Sequence, residues 1–315
     1  MFASDAHAAI ASVLRQRRDV IEDKHIDLGI LLHQLQTERP TNRGERCRLY
    51  NQFLLTDLQR ERLTVVLVSP RNPLNIGAAA RAMANFGFAR LSVVAPFEEH
   101  WREAKSAVGA EELLQTARRI EHLQEAVADC TLVVGTGTVT HRRPEQQLVM
   151  LPELAPLIEQ EMKRGGRVAL VFGSEKRGLT REDLSLCHLL VEIPTDAHQP
   201  SMNLGQAVAV CLYELAAGCG RTVARSHEQR AAASDSDAAG EPAPVPTREL
   251  ELLAGLLEET MRAANYSPSA MRIANRHDLQ LLLRRLTLNR RDTRRILGLF
   301  RRILWRIKPG DKGVR

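Results

Sequence analysis

Five polar side chains sit where an α/β chain can do chemistry. Asn75 and Arg81 belong to Asn72-Pro-Leu-Asn75-Ile-Gly-Ala-Ala-Ala-Arg81, just after the apolar run Leu63-Thr-Val-Val-Leu-Val68. Glu175 belongs to Phe172-Gly-Ser-Glu175-Lys-Arg-Gly-Leu179, directly after Val168-Ala-Leu-Val. Ser201 and Asn203 follow Leu189-Leu-Val-Glu-Ile193 across a polar stretch. A guanidinium holds phosphate or a developing oxyanion. A carboxylate anchors backbone donors or an arginine, and hydroxyl and amide groups order a loop. Taken alone, the first stretch also reads as structure, with Asn75 capping a helix and Arg81 on its solvated face.

The elements that must hold these residues follow from the pattern. Leu63–Val68 is short, apolar and β-branched, which suits a strand buried on both faces. Pro70, Asn72, Pro73, Asn75 and Gly77 are turn residues, and Ala78, Ala79, Ala80, Ala82 and Ala84 favour a helix. Leu91–Ala95, Thr131–Thr136, Val168–Phe172 and Leu189–Ile193 are four further strands. Helices are expected around Glu98–Ala107, Ile120–Asp129, Glu153–Lys163 and Asn203–Ala217. Alternating strands and helices predict an α/β fold with a parallel sheet. Three polar loops then meet at the C-terminal edge of the sheet, where such folds bind ligands. Ser201 is the expected cap of the last helix.

The flanks differ from this core. Residues 1–60 read as an N-terminal helical extension without evident chemistry. Residues 61–220 form the α/β domain. Residues 221–247 are small, polar and proline-rich, the composition of a flexible linker. Residues 248–315 read as a small C-terminal α-helical domain. Residues 271–315 carry twelve Arg and two Lys against three Asp, a net +11, so the formal +6 of the 315-residue chain leaves −5 elsewhere. A basic end on a mildly acidic body points to a polyanion, and arginine favours phosphate. Arg284, Arg285 and Arg301 are candidate nucleic-acid contacts there, with Arg142 and Arg143 in the loop after the third strand. Trp305 is open to base stacking or to core packing, and His198 to nucleic-acid contact or plain solvation.

Other classes are excluded. Gly173–Gly178 has the spacing of a phosphate-binding loop, but Leu179 stands where the lysine belongs. Gly135-Thr-Gly137 lacks the third glycine of a dinucleotide fingerprint. No hydrolase triad order or zinc-protease pattern is present. Five scattered cysteines at 47, 130, 187, 211 and 219 suggest neither disulfides nor a metal site. They fit a reducing cytoplasm. No window reaches the ~18 apolar residues of a membrane span, and no signal peptide is expected from Met1-Phe-Ala-Ser-Asp.

The three polar stretches, in order over about residues 63–217, resemble the ordered motifs of the SpoU/TrmH branch of SPOUT RNA methyltransferases, most closely its TrmJ-like members. Leu281-Leu-Leu-Arg-Arg-Leu and Arg294-Arg-Ile-Leu-Gly-Leu resemble the helical C-terminal extension of that group more loosely. The resemblance implies a parallel-sheet SPOUT domain with a C-terminal trefoil knot, which general topology rules would have disfavoured. It implies S-adenosylmethionine (SAM) as cofactor and a homodimer packed through the knotted domain. It implies a tRNA 2′-O-ribose methyltransferase acting on cytidine or uridine at position 32 of the anticodon loop, with no DNA or membrane partner. The alternatives are a ribosomal RNA substrate or a non-catalytic RNA-binding relative.

By the same resemblance, Arg81, Asn75, Glu175, Ser201 and Asn203 are the expected catalytic set. Thr136, Gly137, Gly173, Glu175, Ile193, Ser201 and Met202 are expected to bind the cofactor, and Arg81 also to contact RNA. The chain departs mildly at Met202 and Gly205, where the family more often carries Leu and a small polar residue or Ala. The N-terminal 60 residues are outside the family pattern.

Overall fold

The structure is a computed structural model that describes residues 56–137, 145–216, 244–266 and 271–308. The expected N-terminal extension up to residue 55, most of the linker, and His141, Arg142 and Arg143 lie outside those residues.

Seven parallel strands form one sheet among the described residues. They are β1 (Leu63–Val68), β2 (Arg90–Val94), β3 (Arg118–Ile120), β4 (Leu132–Thr136), β5 (Gln147–Met150), β6 (Val168–Phe172) and β7 (Leu189–Glu192). Their spatial order is β3-β2-β1-β6-β4-β7-β5. Strands β1 and β6 are central and buried at every position, as their uninterrupted apolar runs require. The register Leu67↔Phe172 ends both strands at the same level. The polar loops after β1, β6, β4 and β7 therefore emerge side by side.

Short helices α1 (Asp57–Arg60), α3 (Glu111–Thr116) and α4 (Leu123–Val127) join α2 (Pro73–Asn85), α5 (Leu151–Lys163), α6 (Arg181–Ser185) and α7 (residues 204–216) around the sheet. One core packs Leu63, Val65 and Leu67 against Ile76, Ala79 and Met83 of α2 and Val208 and Leu212 of α7. The other packs Val66 and Val171 against Leu123, Val127 and Leu186. Both sheet faces are thus covered, which a parallel sheet requires.

The structure adds two strands to the five expected and redistributes one helix. β3 and β5 are short outer strands. The helix expected over Glu98–Ala107 is a single 3₁₀ turn at Trp101–Glu103, and the helical turns lie further on, in α3. Trp101 is fully buried by that turn.

Three longer helices follow: α8 (Thr247–Ala263), α9 (Arg272–Arg285) and α10 (Arg290–Ile307). They pack on each other through Leu253, Ala254 and Leu283. They also bond to the α/β body. The Thr247 backbone N–H and hydroxyl both donate to the Cys130 carbonyl, at 2.8 and 2.9 Å. Arg248 pairs with Asp129, and Ser185 of α6 donates to the Gln280 side chain at 2.9 Å. α8 begins at Thr247, the last residue assigned to the linker, and Thr247 is buried. No helix among the described residues is long and apolar enough to cross a membrane.

Candidate active site

The loop after β1 turns into α2 through its own cap. The Asn72 side chain accepts from the Leu74 N–H at 2.9 Å and Pro73 opens the helix. Asn72 therefore takes the capping role, and Asn75 is released for another partner. That partner is Glu175. Its carboxylate accepts from the Asn75 side-chain amide at 2.9 Å and from the backbone N–H groups of Arg71 and Asn72 at 2.9 and 3.1 Å. Partial burial pushes the Glu175 carboxyl up, but these hydrogen bonds outweigh it and hold the group below the usual carboxylate range.

The third loop closes the network. The Asn203 side-chain amide donates to the Asn75 side-chain oxygen Oδ1 at 2.8 Å. The Asn203 oxygen accepts from the Gly205 N–H at 2.9 Å, so Asn203 rather than Ser201 caps α7. Gly205 is needed at that point, because a Cβ there would lie 2.6 Å from the Ala78 Cβ on α2. In the second loop, a Cβ on Gly173 would lie 2.1 Å from the backbone of Gly178. Only glycine lets the two limbs of that loop close, with the Gly178 N–H donating to the Ser174 carbonyl at 2.8 Å.

Beside this network lies a cavity of about 910 Å³, at the ends of the adjacent strands β6, β4 and β7. All seven residues expected to bind a cofactor line it: Thr136, Gly137, Gly173, Glu175, Ile193, Ser201 and Met202. Thr136 donates its hydroxyl to the Val171 carbonyl at 3.1 Å, which ties the end of β4 to β6. Glu145, Gln146, His277 and Leu281 also line it and were not anticipated. The first two carry no signal beyond polarity. The last two lie on α9, more than seventy residues after the third loop.

Arg81 lies elsewhere. It is exposed on α2, does not line the cavity, and has no ion pair or hydrogen bond among the described residues. It shares a helical stripe with Leu74 and Ala78. Helix α7 runs beside α2 in the same direction, as the contacts Ala78–Gly205 and Phe86–Tyr213 require. Leu74 (53% exposed) on α2 and Val210 and Tyr213 (59% exposed) on α7 are exposed apolar residues of this helix pair.

The expected RNA-facing arginines divide. Arg301 is exposed on α10. Arg285 is paired with Glu145 at 3.6 Å. The placement of Arg284 at an RNA-facing surface is corrected, since its side chain is 2% exposed and bonded to Glu251 at 2.8 Å and to the Gln280 carbonyl at 3.1 Å. Its charge is consumed inside the fold, because a buried guanidinium needs a fixed partner. Trp305 is 69% exposed, so it does not pack in a core, and His198 is solvated and bonded to Asp196. Among the described residues no cluster could hold a metal ion.

Residues 62–213 match the family model described as SpoU rRNA Methylase. A Salmonella typhimurium protein named tRNA (cytidine/uridine-2'-O-)-methyltransferase TrmJ is 32% identical over 257 residues, 80% of this chain and 99% of that protein. The chain belongs to the SpoU methylase family. A Pseudomonas aeruginosa protein named tRNA (cytidine/uridine/adenosine-2'-O-)-methyltransferase TrmJ is 41% identical over 156 residues, 49% of this chain. That alignment spans 60% of the Pseudomonas protein's length. The crystal structure of TrmJ from Z. mobilis ZM4 superposes with a TM-score of 0.63 at 31% identity, covering 76% of this chain and 98% of that one.

Proposed function

We propose that this SpoU methylase is a SAM-dependent tRNA 2′-O-ribose methyltransferase that works as a homodimer in the cytoplasm. The observation that carries the reading is the cavity at the ends of β6, β4 and β7, lined by every expected cofactor residue and joined through Glu175 and Asn75 to the helix that bears Arg81. The residues fit SAM. The volume lies in the range of roughly 300–1,000 Å³ of small-molecule sites. Apolar Phe172, Ile193 and Leu204 line it together with polar Thr136, Ser174, Thr195 and Ser201, and an ionised Glu175 suits a cationic ligand. SAM supplies an electrophilic methyl group when bound.

The chain's own residues supply positioning and charge. Holding two reactants in line contributes up to roughly 7–11 kcal/mol in ideal cases. Arg81 holds the ribose-phosphate and stabilises negative charge developing on the 2′-oxygen. It acts as a cation and not as a base, because a guanidinium carries five N–H donors and no acceptor and is not deprotonated in proteins. Glu175 spends its oxygens on three donors and so fixes the first loop to the second. Asn75 and Asn203 extend that link to the third loop, which carries Ser201.

The apolar side chains exposed on α2 and α7 support the homodimer, since association through this helix pair would bury Leu74, Val210 and Tyr213 and bring Arg81 to a second subunit. The family's trefoil knot is part of the same reading. The tRNA substrate rests on the TrmJ relatives and on the basic helices, and the resemblance directs it to the pyrimidine at position 32. Ribosomal RNA is the second reading, favoured by the family description. The test incubates the full chain with SAM and unmodified tRNA, then maps 2′-O-methyl nucleosides by mass spectrometry. A single modified anticodon-loop pyrimidine supports the proposal. Methylation of ribosomal RNA alone moves the substrate, and SAM binding without any product leaves the non-catalytic relative.

A further inference from the structure

Helix α9 has two working faces. Leu283 packs with Leu253 and Ala254 inside the C-terminal helices. His277, Gln280, Leu281 and Arg284 occupy the other face, at spacings of three, four and seven residues. That face meets the α/β body. Gln280 accepts from the Ser185 hydroxyl in a buried bond, and Arg285 at the helix end reaches Glu145 on the cavity rim. Gln280 also donates to Glu251 at 2.9 Å, and Glu251 holds the buried Arg284, so the seat is stiff. Between these anchors, His277 and Leu281 line the cavity itself. Leu281 is 3% exposed yet belongs to no cluster of the helical module. The His277 ring has no hydrogen-bond partner among the described residues.

We propose that α9 is a wall of the cofactor site, with Leu281 and His277 contacting bound SAM, so that cofactor affinity depends on the seating of the C-terminal helices. This rests on the reading of the cavity as a SAM site. A helix expected to serve RNA thereby also reports on cofactor occupancy: SAM bridges body and helices, and its binding stabilises the docked arrangement by linkage.

The test uses the full-length protein and SAM. Isothermal titration on Leu281→Ala is expected to show the Kd raised about tenfold, the effect of one lost apolar contact surface. His277→Ala is expected to raise it several-fold, and Ile273→Ala, exposed in the first turn of α9 and not part of the cavity lining, to leave it unchanged. Hydrogen exchange of the peptide spanning residues 272–285 is expected to slow when SAM is added to the wild type. If Leu281→Ala unfolds, His277→Ala and the wild-type exchange decide. Wild-type SAM binding with unchanged affinities and no α9 protection overturns the inference and spares the functional reading. Failure of the wild type to bind SAM overturns both.

Discussion

Asn75 and Arg81 lie six residues apart on one helix, about 9 Å along its axis, in opposite surroundings. Asn75 is held between Glu175 and Asn203, with both ends of its amide engaged. Arg81 is exposed and has no partner among the described residues. The contrast separates two tasks. A group whose hydrogen bonds are met internally fixes the shape of a cavity. A cation left open on the surface is available to something that arrives from outside. The helix thus carries a framing end and a working end.

Substitutions sharpen that division in order of expected effect. Arg81→Ala should lower the methylation rate by about 10²–10³, the scale of losing one charge-stabilising group, read in single-turnover assays. Arg81→Lys should recover only part of it, because the planar fork is lost. Arg284→Ala should leave the Glu251 carboxylate without its cation, held by Gln280 alone among the described residues, and destabilise the fold by about 3–5 kcal/mol, measured by denaturant unfolding. If Arg284 acted on RNA instead, stability would be kept and tRNA affinity lost. Glu175→Ala should release the second loop from the first and raise the SAM Kd about tenfold.

Acid should act first on the interior. His188 is buried, and desolvation, followed by the nearby Arg284 charge, pushes its pKa down to about 3. The unfolded chain takes up that proton near pH 6.5 while the native protein does not. The stability is therefore fully present above about pH 6.5 and is lost as pH falls toward 3, at up to about 1.4 kcal/mol per pH unit. Unfolding measured across that interval should steepen for the wild type and flatten for His188→Gln. The Glu175 carboxyl, held low, should lose its contribution only at more acid pH.

The sequence made the loops legible because each follows a strand with an unbroken apolar run. β3 and β5 escaped notice for the opposite reason. They are three and four residues long, and Arg118, Arg119, Gln147 and Leu148 are exposed, so no periodicity marks them. Asn203 takes the capping role expected of Ser201, and Asn72 the one that a purely structural reading gives to Asn75, since several side chains near each helix start can cap. Arg284 looked like half of a basic pair. Its burial is decided by Glu251, thirty-three residues away, which no local pattern reveals. A still longer separation in sequence hid His277 and Leu281 from the cavity they line.

The most direct test of the division measures both tasks on one pair of variants. SAM affinity by titration and single-turnover methylation of unmodified tRNA are taken on Arg81→Ala and Glu175→Ala. The account predicts wild-type SAM affinity with the single-turnover rate lowered by about 10²–10³ for Arg81→Ala, and weakened SAM affinity for Glu175→Ala. Full turnover in Arg81→Ala, or equal loss of SAM binding in both, would contradict it.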